Sequence, residues 1–208
     1  FHKSPIEKQI FRHTLGDGIL TSQGASWRWQ RRTAAPLFRV SDLNALVPMM
    51  TAEGEAQAKR WAATPPGSVH AIDADMTETT FHVISSTMFG GKADADTREI
   101  LDQRRQAGIE GPDLMGRLLQ ARDPETGQPM SDSQLVDNLL TFLGAGHETT
   151  AKALTWSLYL LSRAPEWQDN IAAEVNAVCG GAPITGEHLE GLEVTRSVFK
   201  EAMRLYPP

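Results

Sequence analysis

The chain has 208 residues, of which 40% are hydrophobic and 22% charged, a composition that suits one or two globular domains with a real core. Its formal net charge of -6 argues against nucleic acid or acidic lipid as a partner held by overall charge. The single cysteine, Cys179, cannot form an internal disulfide and favours a reducing, cytoplasmic location. No apolar run free of charge reaches about 18 residues, so no membrane span is expected.

The predicted elements are almost all helices. In chain order, helical periodicity predicts helices over about residues 27–38, 41–63 and 73–89, and a short one in "DLMGRLLQAR". Pro36, the "TPPGS" segment and the glycine pair at 90–91 end the first three. A few β-branched residues around Val69 to Ile72 suggest an edge strand. The predicted fold class is therefore mainly α, with little β.

A long central helix is predicted next. Ser131 and Gln134 have the spacing of a capping box, and the apolar pattern then runs to about Arg163. About 30 residues at 1.5 Å per residue make a rod of roughly 45 Å, which can form one wall of a buried site. Pro165 begins a further helix, and "EVTRSVFKEAMRLY" is the last.

The segment "FLGAGHETT" places small and polar residues inside the long helix. A zinc-peptidase helix needs a second histidine four residues after His147, and position 151 is alanine, so no metal site is predicted. Ala145, Gly146 and Thr149 share a face, where small side chains let a flat ligand approach the backbone. Glu148 is one step round and, beside the Thr149 hydroxyl, suits a proton relay. Close helix packing explains the same small residues equally well.

Two further helical motifs carry charge. In "KEAMR", Glu201 and Arg204 are three residues apart and are predicted to pair in a turn that is at least half buried. In "WRWQRR", Trp27 and Arg31 share one face, and their indole N–H and planar guanidinium suit ligand carboxylates. A solvated surface bridge and a basic surface face are the alternatives for these two motifs.

The three motifs, in this order on helices, resemble the cytochrome P450 superfamily of heme-thiolate monooxygenases. The family's distal-helix signature is a small residue, glycine, any residue, an acid, threonine, then threonine or serine, and residues 145–150 fit every position. The family's ExxR pair fits Glu201 and Arg204, which would be structural. Its Trp-x-x-x-Arg helix fits Trp27 and Arg31.

The resemblance implies a heme b cofactor lying under the long helix. Ala145 and Gly146 would leave room for dioxygen, and Thr149 with Glu148 would deliver the protons needed to split it. One oxygen atom would then enter a small hydrophobic organic substrate, and the other would leave as water.

The resemblance also implies partners for the arginine-rich helix. Trp27 and Arg31 would hold a heme propionate. Arg28 and Arg32, on the other side of that helix, would dock an acidic electron-transfer partner, which is a ferredoxin, a flavodoxin or a fused reductase. The composition and the single cysteine favour a bacterial-type enzyme in the cytoplasm.

The chain is interpreted as a partial cytochrome P450 domain over residues 1–208, because it lacks an initiator methionine and stops just after the ExxR helix; an N-terminal signal or anchor stays open. The family's axial cysteine follows that helix, whereas Cys179 precedes it. Without the axial ligand, we expect the fragment to be inactive. The region of about 91–113 has room for barely one of the two long helices that usually roof the substrate channel.

Two alternative functions fit parts of the sequence. A non-catalytic helical binding or interaction remnant of the same fold would explain the missing ligand loop. A helical prenyl-diphosphate enzyme would need clustered aspartates to hold Mg²⁺. Asp73, Asp75, Asp94 and Asp96 have the character of loop or helix-start residues instead.

Overall fold

The computed structural model describes residues 3–91, 96–108 and 111–208. Within these ranges the chain forms ten α-helices, which are α1 (Pro5–Leu15), α2 (Gly24–Ala34), α3 (Val40–Asn44), α4 (Val47–Ala62), α5 (Ile72–Phe89), α6 (Thr97–Ala107), α7 (Leu114–Gln120), α8 (Asp132–Ser162), α9 (Pro165–Cys179) and α10 (Glu193–Leu205). Two 3-10 helices, Ala35–Phe38 and Gly186–Gly191, complete the described elements. The prediction of a mainly α fold is confirmed.

The predicted edge strand at residues 69–72 is wrong. The Val69 side chain is 98% exposed, and α5 already begins at Ile72. The preceding turn, closed by the Ser68 N–H donating to the Pro65 carbonyl at 3.1 Å, offers no neighbouring strand to pair with. The only β pairing in the described part of the chain is an isolated bridge between Arg122 and Pro129.

The long helix α8 begins where its sequence predicts. The Ser131 N–H donates to Gln134 Oε1 at 3.0 Å, and the Gln134 N–H donates to Ser131 Oγ at 3.3 Å, so the capping box is confirmed. The helix then runs for 31 residues, a length of roughly 45 Å. It ends at Ser162, three residues before Pro165 begins α9.

The chain divides into two compact units, residues 1–43 with 85–145 and residues 44–84 with 146–208. Helix α8 contributes residues 132–145 to the first unit and 146–162 to the second. The first unit's core consists of apolar side chains from α5 to α8, among them Met88, Leu101, Met115, Leu118, Leu135 and Leu139, each with at most 2% of its surface exposed. The second unit buries Leu46, Val47, Met76, Ala151, Ala153, Cys179, Leu192 and Ala202.

A buried carboxylate organises one corner of the first unit. Asp123 is 1% exposed and accepts from Arg32 Nε and Nη2 at 2.6 and 2.8 Å. The Thr126 hydroxyl donates to the same carboxylate at 2.7 Å. The hydrogen bonds from Arg32 hold the pKa of Asp123 well below its usual range; burial opposes this shift, and Thr126 adds to it.

In the second unit, α9 caps the beginning of α10. Glu174 accepts from the backbone N–H groups of Val194 and Thr195 at 2.6 and 2.9 Å, and from the Thr195 hydroxyl at 2.7 Å. Burial works against the charged form, but these donors prevail and lower the pKa of Glu174. The first turn of α10 thus receives from α9 the acceptor that its own N-cap residue, Leu192, does not supply.

The paired carboxylate Asp123 predicts a specific acid sensitivity. A carboxyl group with a lowered folded pKa contributes stability above its unfolded pKa of about 4, and that contribution is lost as pH falls towards the folded pKa. We expect Asp123→Asn to lower the free energy of unfolding at pH 7 and to flatten its decline between pH 5 and pH 3. Urea unfolding at several pH values measures both effects. Asp169→Asn on the exposed side of α9 is the matched control, and an equal response of both variants would contradict the assignment.

Candidate functional site

The segment 144–150 of α8 has one covered side and one open side. On the covered side, a Cβ placed on Gly146 would lie 2.9 Å from Ile84 Cδ1 of α5. The Thr80 hydroxyl lies 2.9 Å from the His147 carbonyl oxygen, and the His147 and Phe81 rings meet edge-on with centroids 5.9 Å apart. Close packing against α5 therefore accounts for Gly146.

The open side carries the predicted relay residues. Ala145, Glu148 and Thr149 are all exposed. In the described part of the chain, no hydrogen bond or ion pair is found for the Glu148 carboxylate. Gly144 is exposed as well, and a Cβ added to it would meet nothing within 4 Å. A glycine in a helix interior lowers the stability of the helix relative to alanine, and at Gly144 no contact among the described residues offsets this loss.

Helix α2 presents a polar donor face. Trp27 is 37% exposed, and Lys3 Nζ lies 5.9 Å from the centre of its ring. Arg31 is exposed, and among the described residues no acceptor or acidic partner meets its guanidinium. Trp27 and Arg31 are one helical turn apart, so an indole N–H and a five-donor fork face outward together.

The two other arginines of this helix differ from each other. Arg28 is exposed and, in the described ranges, has neither a hydrogen-bond nor an ion-pair partner. The hydrogen bonds to Asp123 raise the pKa of Arg32 against the opposing effect of burial, and Glu125, 2.8 Å away, adds to this shift. Sequence spacing placed these two arginines together as a docking surface, but the charge of Arg32 is largely neutralised within the first unit.

The Glu201–Arg204 pair forms as predicted, but in a different environment. Arg204 Nε and Nη2 each lie 2.7 Å from a Glu201 oxygen, and these hydrogen bonds lower the pKa of Glu201. The two side chains are 67% and 55% exposed, so the expectation of a half-buried turn is wrong. The reason is that α10 buries the side containing Ala202, and the charged pair lies beside that apolar stripe.

The described aspartates of the prenyl-diphosphate alternative all lie at the start of a helix, and each has a hydrogen-bond partner within the protein. Asp73 accepts from Lys152 Nζ at 2.6 Å, and Asp75 accepts from Trp61 Nε1 at 2.9 Å, both in the first turn of α5. Asp96 caps α6 by accepting from the Arg98 N–H at 2.8 Å. Asp94 lies outside the described residues.

Sequence reasoning missed a buried amide network under α2. Gln30 and Asn138 are 0% exposed, and Asn138 Nδ2 donates to Gln30 Oε1 at 2.7 Å. The two residues are 108 positions apart, so no local pattern could have paired them. It also missed an apolar groove of about 580 Å³ in the second unit, lined by residues of α8, α9 and α10 that include Trp167 and Leu205.

The site residues are thus distributed over both units. Trp27, Arg31 and Ala145 belong to the first, and Gly146, Glu148, Thr149 and the ExxR pair belong to the second. The described residues form a mainly α-helical fold whose longest helix carries the small-residue segment. The family model described as Cytochrome P450 matches residues 1–106 and 92–208, and the chain belongs to the cytochrome P450 family. Membership implies a heme cofactor.

Curated relatives are similar along the chain. Cyclooctat-9-en-7-ol 5-monooxygenase of Streptomyces melanosporofaciens is 29% identical over 245 residues, which cover 95% of this chain and 53% of the relative. Cytokinin hydroxylase of Arabidopsis thaliana is 30% identical over 261 residues, which cover 99% of this chain and 50% of the relative. A bifunctional cytochrome P450/NADPH–P450 reductase of Gibberella moniliformis is 40% identical over 112 residues, 54% of this chain and 10% of that protein. The chain therefore spans about half the length of the first two.

These alignments of 245 and 261 positions are longer than the chain itself, so the relatives carry residues within the matched span that this chain lacks. The two matches of the family model overlap over residues 92–106 of this chain. Between α5 and α7 the described residues form one helix, α6. In the parts of the chain that the structure describes, no helix is both long and apolar enough to span a membrane.

Because Gly144 and Gly146 have different surroundings, substitution by alanine is expected to change the free energy of unfolding differently at the two positions. Gly144→Ala is expected to raise the free energy of unfolding by about 0.5–1 kcal/mol, because alanine is the better helix former and the site is open. Gly146→Ala should gain less or lose stability, because Ile84 Cδ1 must move. Thermal and urea unfolding check both variants. In the Ile84→Val background, which lacks Cδ1, Gly146→Ala should become about as stabilising as Gly144→Ala, and an unchanged effect of Gly146→Ala in that background would refute the packing argument.

Proposed function

We propose that the protein to which this chain belongs is a heme-dependent monooxygenase that inserts one atom of dioxygen into a small hydrophobic organic substrate. The open side of α8, with Ala145, Glu148 and Thr149 exposed in an A-G-x-E-T-T segment, is the observation that carries the proposal. Membership of the family and the activities in the names of the similar monooxygenase and hydroxylase support it. Heme b, when bound, supplies the binding and activation of dioxygen.

The donor face of α2 fits the carboxylates of such a cofactor. Arg31 is always charged and exposed, and its fork matches a carboxylate in a bidentate arrangement. Trp27 adds one N–H donor on the same face. In this proposal Trp27 and Arg31 bind one heme propionate, while Ala145 keeps the open side of the helix thin and Gly146 allows the close packing of the covered side against Ile84.

The proposed proton path uses two side chains of α8. Glu148 can exchange protons with solvent, because it is exposed. The Thr149 hydroxyl, which both donates and accepts, would take a proton from Glu148 at Oγ1 and deliver it to the ligand side of the helix. Glu201 and Arg204 take a structural part, since their bidentate pair fixes the last turns of α10.

Electrons come from a separate or fused partner in this proposal. Several similar proteins are named as bifunctional or self-sufficient P450s, and two of these names include an NADPH–P450 reductase. Because Arg32 is already paired with Asp123, docking of an acidic ferredoxin, flavodoxin or reductase domain relies on Arg28. A cytoplasmic location is part of the proposal and is supported by the lone, buried cysteine.

The alternative is a helical binding or interaction module without chemistry. Cys179 is buried at the end of α9, ahead of α10, so it does not take the place of the axial ligand that follows the ExxR helix in the family. We expect the 208-residue chain alone to lack monooxygenase activity. Heme titration separates the two ideas, because tight stoichiometric binding by the isolated chain argues against a merely structural remnant.

A spectroscopic experiment tests whether the full-length protein binds heme with the thiolate ligand of the family. The full-length protein is loaded with heme, reduced and exposed to carbon monoxide. We expect the red-shifted Soret band of a thiolate-ligated heme. A spectrum of the histidine-ligated type would defeat the proposal.

A threonine substitution tests the proton path. Thr149→Ala in the full-length enzyme should lower the amount of product formed per electron pair by about tenfold or more, because proton delivery contributes at least that much to comparable reactions. Product and reductant consumption are measured together. Thr155→Ala is the matched control, since the Thr155 hydroxyl bonds the Ala151 carbonyl at 2.8 Å on the same helix. Unchanged coupling in Thr149→Ala would remove this hydroxyl from the path.

A further inference from the structure

The buried amide network in the first unit is fully satisfied. Asn138 Nδ2 donates to Gln30 Oε1 and to the Gln134 carbonyl, both at 2.7 Å, and Asn138 Oδ1 accepts from the Ile19 N–H at 2.9 Å. Gln30 Nε2 donates to the Asp17 carbonyl at 3.0 Å and to Ser26 Oγ at 3.1 Å. Both amides therefore use all their strong donors and at least one acceptor while having no exposed surface.

The loop between α1 and α2 is tied to α8 at the same place. The Asp17 N–H donates to Asp137 Oδ2 at 2.8 Å. A Cβ placed on Gly18 would lie 2.7 Å from the Asp137 carbonyl oxygen, so the loop backbone approaches the helix as closely as only glycine allows. The amide network thus joins three elements of the first unit, which are the loop, α2 and the 132–145 part of α8.

Directional contacts of this kind fix position in a way that apolar packing does not. An apolar pair tolerates sliding and rotation of one helix on another, whereas a buried hydrogen bond between two amides whose other donors are also bonded defines one register. Gln30 lies on the buried side of α2, one residue before Arg31 and three after Trp27. Because Arg31 contacts no acceptor in the described residues, the placement of the α2 backbone sets which positions its flexible side chain can reach.

We propose that Gln30 and Asn138 form a positioning pair for the carboxylate-binding face of α2. The pair sets the rotation and register of α2 against α8, so that Trp27 and Arg31 present their donors to one ligand carboxylate. This inference rests on the proposed function, in which that ligand is a heme propionate. Bidentate recognition requires the fork to be held within fractions of an ångström, which is why a rigid pair under α2 matters.

The test separates positioning from stability by comparing two ligands. The full-length apoprotein is titrated with iron protoporphyrin IX and with its dimethyl ester, which lacks the propionate charges, and the ratio of the two dissociation constants is measured. Asn138→Leu, whose site is not on α2, should reduce the preference for the free acid by about tenfold while leaving the affinity for the dimethyl ester unchanged. Gln30→Met, which keeps the length of the side chain, should act in the same direction if Asn138→Leu does not fold.

Three control variants distinguish loss of the carboxylate site, loss of stability and loss of the amide pair. Arg31→Leu should abolish the preference for the free acid; if it does not, the carboxylate site of the proposed function is wrong. Thr79→Val, which removes the buried hydroxyl that donates to Gln57 at 3.2 Å, should lower stability without changing the ratio. The exchanged pair, Gln30→Asn with Asn138→Gln, should restore most of the preference.

The inference is overturned if Arg31→Leu abolishes the preference and both amide variants leave the ratio of dissociation constants unchanged. It is also overturned if they weaken the binding of both ligands to the same extent, because that pattern is expected of a purely structural pair.

Discussion

Helix α8 has to bury one side against α5 while leaving the opposite side open, and the placement of the candidate site depends on this division. Gly146 allows the close approach of Ile84, and the Thr80 hydroxyl lies 2.9 Å from the His147 carbonyl oxygen. These contacts fix the rotation of α8 about its own axis within the second unit. Thr149 lies only about 60° around the helix axis from Gly146, and its exposure places it at the edge of the open side.

Local signals predicted most helices from α2 onwards, because these boundaries depend on residues close in sequence. Helix α1 was not predicted, and the predicted segment 41–63 is divided into α3 and α4. The capping box at Ser131 begins α8, Pro165 begins α9, and Gly90, with a φ of 73°, ends α5. The edge strand failed for a physical reason. β-Branched residues favour strands only when a neighbouring strand supplies hydrogen bonds, and Val69 follows a turn instead.

The charged residues show where prediction from spacing ends. Arg28, Arg31 and Arg32 have almost the same local sequence, yet only Arg32 meets a buried carboxylate, on a loop 91 positions away. Likewise the apolar neighbours of Arg204 suggested burial, although α10 buries a different side. A periodic pattern tells which residues share a face, but the partner of that face is set by contacts distant in sequence.

The arginines that remain unpaired are informative for the same reason. A fold that pairs Arg32, Arg104 and Arg117 with Asp123, Asp113 and Asp42 supplies carboxylates for the cations that it buries or half-buries. Arg31 has no such partner among the residues that the structure describes, although Gln30, its neighbour, belongs to a fully bonded buried network. An exposed guanidinium without an internal acceptor can pair with an external carboxylate without first breaking an ion pair. In the proposed function, Arg31 uses this unpaired charge on a fixed backbone to bind the ligand carboxylate.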